Sequence, residues 1–252
     1  MIRKSLLVSF LSLLTVVGML SAQESKLYTA TVFGIHSDGV TDNTTSIQKA
    51  IDYIHENGGG TLVFYVGRYL TGSVELKSNV TIRVASGAVL VGSPLTYDYK
   101  GIGGQTALIY AKDQENIGIE GKGVLEGSGL AIQADIARQV ARGYVKKASD
   151  YLPALVLFEN CRNITMKQFT TQNSAVTAQI YKGCENLNFD NIYVFNKDPK
   201  AAAVSLSGCK NLTAKDCYFD TPVEPLVSDG TSSGLSFSKC IIPSGKEIKV
   251  QK

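Results

Sequence analysis

Tryptophan is absent from the 252 residues, and histidine occurs only twice, at His36 and His55. The first absence removes the largest aromatic surface on which a sugar ring could stack. The second leaves no imidazole after residue 55 for proton transfer or metal ligation. Neither sign of charge is in excess: with Arg3 and Lys4 of the N-terminal stretch set aside, 23 cations face 22 anions. That balance gives no global attraction to nucleic acid or to an anionic membrane surface. Long apolar runs are also missing, with one exception. SLLVSFLSLLTVVGML follows a basic start and precedes Ser21-Ala22-Gln23; its 16 residues are short for a membrane span and fit a secretory signal. The expectation is a signal peptide over 1–22, cleaved after Ala22 with no lipid-anchoring cysteine behind it. A secreted or periplasmic chain then runs from 23 to 252, monomeric, without membrane insertion and without nucleic acid as a partner.

What the chain does have is repetition. CRNITMKQF from Cys161, CENLNFDNI from Cys184 and CKNLTAKDC from Cys209 align without gaps, at spacings of 23 and 25 residues. GLSFSKC from Gly234 begins a fourth copy, and Asn79 and Asn116 hold the recurring asparagine's place upstream. Within each copy apolar and polar residues alternate, as in half-buried strands. Strand-rich units of this period fit the turns of a parallel β-helix, stacked ~4.8 Å apart. The recurring asparagine suits a left-handed turn whose side chains bond along the stack. The fold class read from this pattern is all-β, a right-handed single-stranded parallel β-helix, as domain 23–252.

The five cysteines divide along the same repeat. Cys161, Cys184 and Cys209 share one position; Cys217 and Cys240 share another, which Phe169 and Ile192 fill in earlier copies. A position that accepts phenylalanine, isoleucine and cysteine is a core position, so the thiols read as buried and unpaired rather than as a metal or redox site. No metal and no cofactor is expected.

Two stretches break the strand pattern. Residues 31–60 contain Ile47, Ala50, Ile51 and Ile54 on one helical face, with capping oxygens at Asp42, Asn43 and Thr44 and a stop at Gly58-Gly59-Gly60. This helix reads as a lid on the open end of the solenoid. Residues 130–152 read as a helical excursion with Arg138, Arg142, Lys146 and Lys147 near one face. The arginines suit recognition of a carboxylate; the plainer reading is a solvated helix face.

FGIHSDGVTDNTTSIQKAID, GGGTLVFYVGRYLTG and SNVTIRVASGAVLVGS resemble the opening of pectate-lyase-superfamily β-helices, with Val66 where that opening usually has proline. IGIEGKGVLEGSG, NITMKQFTTQNSA and the Cys-x-Asn copies resemble glycoside hydrolase family 28, the polygalacturonase type. The resemblance covers roughly residues 31–240 and implies a hydrolase of pectic chains that inverts the anomeric centre with an acid and a base. It places the family's first catalytic aspartate at Ala202 and its Asp-Asp pair at Val223 and Glu224. The family's Gly-His-Gly has no counterpart here, and no coil for its Arg-x-Lys follows. The chemistry is therefore missing at the positions where the resemblance puts it.

Asp198 stands 12 residues after Asn186, and Glu224 stands 13 after Asn211. In a regular solenoid the two would stack about one coil apart, which makes them the candidates for a relocated catalytic pair. Lys182, Lys200 and Tyr181 join Arg138 and Arg142 as candidate substrate-binding residues. The leading reading is a polygalacturonase-like protein that binds pectic or other acidic polysaccharide with impaired catalysis. The alternatives are a glycosidase or lyase working through Asp198 and Glu224, and an adhesin-like structural β-helix. The closing KEIKVQK reads as a guarded last strand.

Overall fold

The computed structural model describes residues 26–147 and 151–248. The stretch read as a leader, 1–22, and the last residues of KEIKVQK lie outside the described residues. The remainder is a parallel β-helix. Sheet A stacks eight strands in chain order, from Leu27–Thr29 to Ser233–Ser238. Sheet B stacks seven, from Asp38–Asp42 to Tyr218–Asp220. Sheet C runs from Val74–Glu75 to Leu226–Ser228, with Lys100–Ile102 added as an antiparallel hairpin strand. From Gly60 to Ser228 the chain passes through the three sheets in turn, one coil after another.

Register follows the repeat. In sheet A, Ile117, Ile164, Leu187 and Leu212 stack as one row, and Ile119, Met166, Phe189 and Ala214 as the next. All eight point into the core and are buried. Outside, Glu115, Arg162, Glu185 and Lys210 form a row of alternating sign, with ion pairs at 2.7 and 2.9 Å.

The asparagine reading holds residue by residue. Asn79, Asn116, Asn163, Asn186 and Asn211 all have φ between 53° and 64°. The Nδ2 of Asn116, Asn163, Asn186 and Asn211 each donates to Oδ1 of the asparagine one coil earlier, over 2.9–3.2 Å. Gly234, φ 65°, takes the next place. The cysteine rows are also as read: all five thiols are free and buried. Each donates to the carbonyl two residues before it.

Helix α1 (Thr44–Glu56) buries Ile47, Ala50, Ile51 and Ile54 against the N-terminal end of the core. Its C-terminus closes with Gly59 N–H to Ile54 O and Gly58 N–H to His55 O around Gly58, φ 87°. At its N-terminus the structure departs from expectation. Asn43 makes no capping bond. Its buried amide instead ties the preceding loop, bonding His36 N and O, Thr41 O and Leu70 O. Asp42 accepts from Thr44 N. Asp38 accepts from Val40 N, Thr41 N and the Thr41 hydroxyl, which holds its carboxyl down at about 2. The FGIHSDGVTDN stretch is thus a turn built from its own side chains.

Helix α2 (Gly129–Ala141) is shorter than the expected 130–152 excursion. Gly143, φ 74°, terminates it through Gly143 N–H to Val140 O and Tyr144 N–H to Gln139 O. Lys146 and Lys147 therefore lie beyond the helix and do not extend the Arg138–Arg142 face.

Candidate functional site

The loops that lead from sheet B into sheet C vary most in length, and the positions in question lie on them. The loop 196–203 has eight residues and the next, 221–225, has five. They enter sheet C in register, Val204 opposite Leu226. Ala203 N–H and Val204 N–H both donate to Pro225 O, and Ala178 N–H donates to Ala202 O. Counted two residues back from the paired strands, Ala202 and Glu224 occupy corresponding loop positions. The three alanines 201–203 are all buried. Glu224 is exposed, and Val223 beside it is half-buried.

Counted back from Val204 and Leu226, Asp198 is not level with Glu224, because its loop has three more residues. Its carboxylate accepts from Lys200 N at 2.8 Å and from Gln133 Nε2 at 2.5 Å. Gln133 lies on α2 and also donates to Ala175 O. Asp198 is thus a clasp for the excursion helix. At the other side of α2, Asp135 is buried and accepts from the Thr96 hydroxyl at 2.7 Å, which lowers its pKa. The helix is pinned across several coils by these two carboxylates. Counting residues from the asparagines overlooked Gln133; its place beside the buried Ile132 was the available signal.

The candidate binding residues separate. Arg138 is exposed and reaches Asp135 at 3.2 Å; Arg142 is exposed at the helix end. Lys200 is exposed on its loop, and Lys182 is half-buried in sheet C between Glu159 and Ser207. Tyr181 is a correction: it is fully buried, its ring packs on Phe158 and Phe189, and its hydroxyl donates to Gln179 Oε1 at 2.9 Å. Burial pushes its phenol well above the ordinary range. Alternation decides this, since Lys182 takes the outward place and Tyr181 the inward one.

The outer face of sheet C is not an open polar surface at its centre. Leu157 and Ile180 share an outward row and are covered, with Ile102, Ala107 and Ala154, as a small apolar cluster. Towards the N-terminal end of the same sheet a recess of about 360 Å³ opens between α1, the Lys100–Ile102 hairpin strand and Tyr110.

The coiled architecture and the turn asparagines define a single-stranded parallel β-helix. The family model for glycosyl hydrolases family 28 matches residues 63–222, and the chain belongs to that family. The solved structure of a candidate glycosyl hydrolase from Parabacteroides merdae is 50% identical, with TM-score 0.86, over 90% of this chain and 100% of that one. An exo-poly-alpha-D-galacturonosidase of Dickeya chrysanthemi is 33% identical over 127 residues, covering 44% of this chain. The match spans 21% of that enzyme's length. The family 28 exopolygalacturonase of Yersinia enterocolitica shares the fold, with TM-score 0.75 at 20% identity, over 85% of this chain and 48% of the enzyme.

Proposed function

We propose that this protein binds an acidic, pectic-type polysaccharide outside the cytoplasm and does not carry out the hydrolysis typical of its family. The observation that carries the reading is the buried Ala202 at the loop position that corresponds to Glu224, with Val223 alongside. Inverting hydrolysis protonates the leaving oxygen from one carboxyl while a second, ~6.5–9.5 Å away, activates water on the opposite face. Glu224 can supply one of these groups. The methyl of Ala202 and the isopropyl of Val223 can supply neither. Engagement of Asp198 with Gln133 and Lys200 N speaks against its serving as the missing partner. The basic start and the apolar run that follows it, read as a leader over 1–22, support export.

Loss of one positioned proton-transfer group costs ~10²–10⁴ in rate. Two carboxylates and a histidine are missing relative to the family pattern, and such losses do not simply multiply. The test measures reducing ends released from polygalacturonate by the purified protein, alongside retardation in a gel containing the same polymer. Binding without release is the expected result. Release of galacturonate that disappears in Glu224→Gln would overturn the reading and restore an active hydrolase.

A further inference from the structure

We propose that the recess at the N-terminal end of sheet C is a binding site for a carboxylate-bearing sugar, held by Lys49 and Lys100 beside Tyr110. This rests on the reading that the chain binds an acidic glycan, and adds where it binds and through which groups. The site lies several coils away from Ala202 and Glu224.

The recess has fixed walls. Gln48 of α1 accepts from Glu75 N–H at 2.7 Å and donates to Glu75 O at 3.1 Å, which fastens the helix to the edge strand of sheet C. Ser73 Oγ accepts from Lys100 N–H at 2.7 Å and donates to Ala107 O, which holds the hairpin strand in place. About 360 Å³ is at the lower end of the ~300–1,000 Å³ usual for small-molecule sites. It suits the end of a chain or a short oligosaccharide rather than a long stretch of polymer.

Three lysines and two carboxylates line it, which leaves one positive charge over. Glu75 answers Lys77 at 2.8 Å, and the Asp52 carboxylate takes the Gln48 amide at 2.9 Å. Lys49 and Lys100 also line the recess. Among the described residues neither has an ion-pair partner. Both are exposed on flexible stems, so each ammonium is free to settle on a carboxylate. Tyr110 is half-buried on the outward side of sheet C, opposite Glu75. Burial, and then the nearby Glu75 charge, raise its pKa, so it stays a neutral phenol. A tyrosine with an apolar ring and a polar tip is suited to the face and hydroxyls of a pyranose. Two lysines without ion-pair partners, with a net positive charge in the recess, beside such a ring favour a sugar acid over a neutral sugar.

The test is a calorimetric titration of the full chain with digalacturonate, with neutral galactobiose and sodium sulfate as comparison ligands. Lys49→Ala combined with Lys100→Ala is compared with Lys122→Ala combined with Lys246→Ala, all four being exposed lysines. Because all four sites are exposed, both variants should fold. Wild type is expected to bind digalacturonate and not galactobiose. The Lys49/Lys100 variant should bind about tenfold more weakly at low salt, the difference shrinking as salt is added, while the Lys122/Lys246 variant should match wild type. Unchanged digalacturonate affinity in the Lys49/Lys100 variant would refute this site while leaving glycan binding elsewhere intact. Sulfate binding as tightly as digalacturonate would refute the sugar. If wild type binds neither digalacturonate nor polygalacturonate, both this site and the functional reading fail.

Discussion

Replacing Asn186 tests what the asparagine ladder contributes, because its two roles can be taken apart. Its Nδ2 donates to Asn163 Oδ1 at 3.1 Å, and its own Oδ1 accepts from Asn211 Nδ2 at 3.2 Å. Its backbone sits at φ 57°, where a Cβ is strained. Both side-chain bonds are exposed and rather long, so each belongs near the lower end of the usual range, ~0.5 kcal/mol. Asn186→Ala loses both and places alanine in the left-handed region, at about 1–2 kcal/mol more. The expected total is about 2–3 kcal/mol. Asn186→Gly loses the same two bonds but accepts the backbone angle without strain, while glycine's greater freedom when unfolded adds a further cost. It should cost about 1–2 kcal/mol. Urea unfolding followed by circular dichroism measures both, provided the slope m is unchanged. Equal destabilisation by alanine and glycine would refute the claim that asparagine is there to hold a left-handed turn. No destabilisation by glycine would show that the ladder bonds themselves contribute nothing.

The thiol rows make a second prediction: titration of the unfolded, unreduced protein should find all five cysteines reactive. Cys184→Ser, which shortens a side chain packed between Cys161 and Cys209, should cost about 1–3 kcal/mol. Pairing of four of the five would refute the reading of the rows as core. A third concerns acid. Hydrogen bonds from Thr41 to Asp38, and from Ser207 and Thr231 to Asp229, hold both carboxyls down at about 2, below their unfolded value. Their contribution is complete above about pH 4 and is lost as pH falls towards 2. Asp38→Asn should therefore flatten the fall in thermal midpoint between pH 4 and pH 2; an unaltered slope would refute it.

The ladders were legible because their rules are local. A cysteine two residues before an asparagine fixes one inward side chain and one left-handed turn, and alternation carries the pattern to the end of the strand. Ile164, Leu187 and Leu212 follow from that alone. The rule stops at the loops from sheet B to sheet C, whose length is not fixed by the stack. Counting forward from Asn186 and Asn211 put Asp198 over Glu224; counting back from Val204 and Leu226 puts Ala202 there. The register restarts with each strand, so only the nearer anchor predicts a neighbour. Tyr181 was misread for a different reason: its polar tip suggested a surface, but the buried Gln179 supplies a partner inside. Gln179 is itself paired with Thr171 at 3.4 Å, so the core contains a small polar chain that composition does not reveal. The lysines of the recess come from a helix, a strand end and a hairpin, and no spacing in the sequence joins them.

The alanine run has an energetic consequence. Ala202 is 2% exposed, between Ala201 and Ala203, and corresponds to Glu224 when counted back from the paired Val204 and Leu226. An aspartate at this position would be taken out of water and set beside a second carboxylate. Both effects raise its pKa above the unfolded value near 3.9. Such a group costs nothing electrostatically while protonated in both states, and costs progressively more as pH rises past the unfolded pKa. Ala202→Asp should therefore destabilise the protein by about 1–3 kcal/mol at pH 7, and by clearly less at pH 4. Adding Glu224→Gln removes the like charge and should return part of the deficit at pH 7. Urea midpoints at the two pH values decide the matter. An equal deficit at both would mean that the cost is steric, and no deficit at pH 7 would mean that the position is open to water. The electrostatic outcome would give the alanines a physical rationale: at a buried position beside Glu224, a side chain without charge removes a load on the fold that only catalysis would justify.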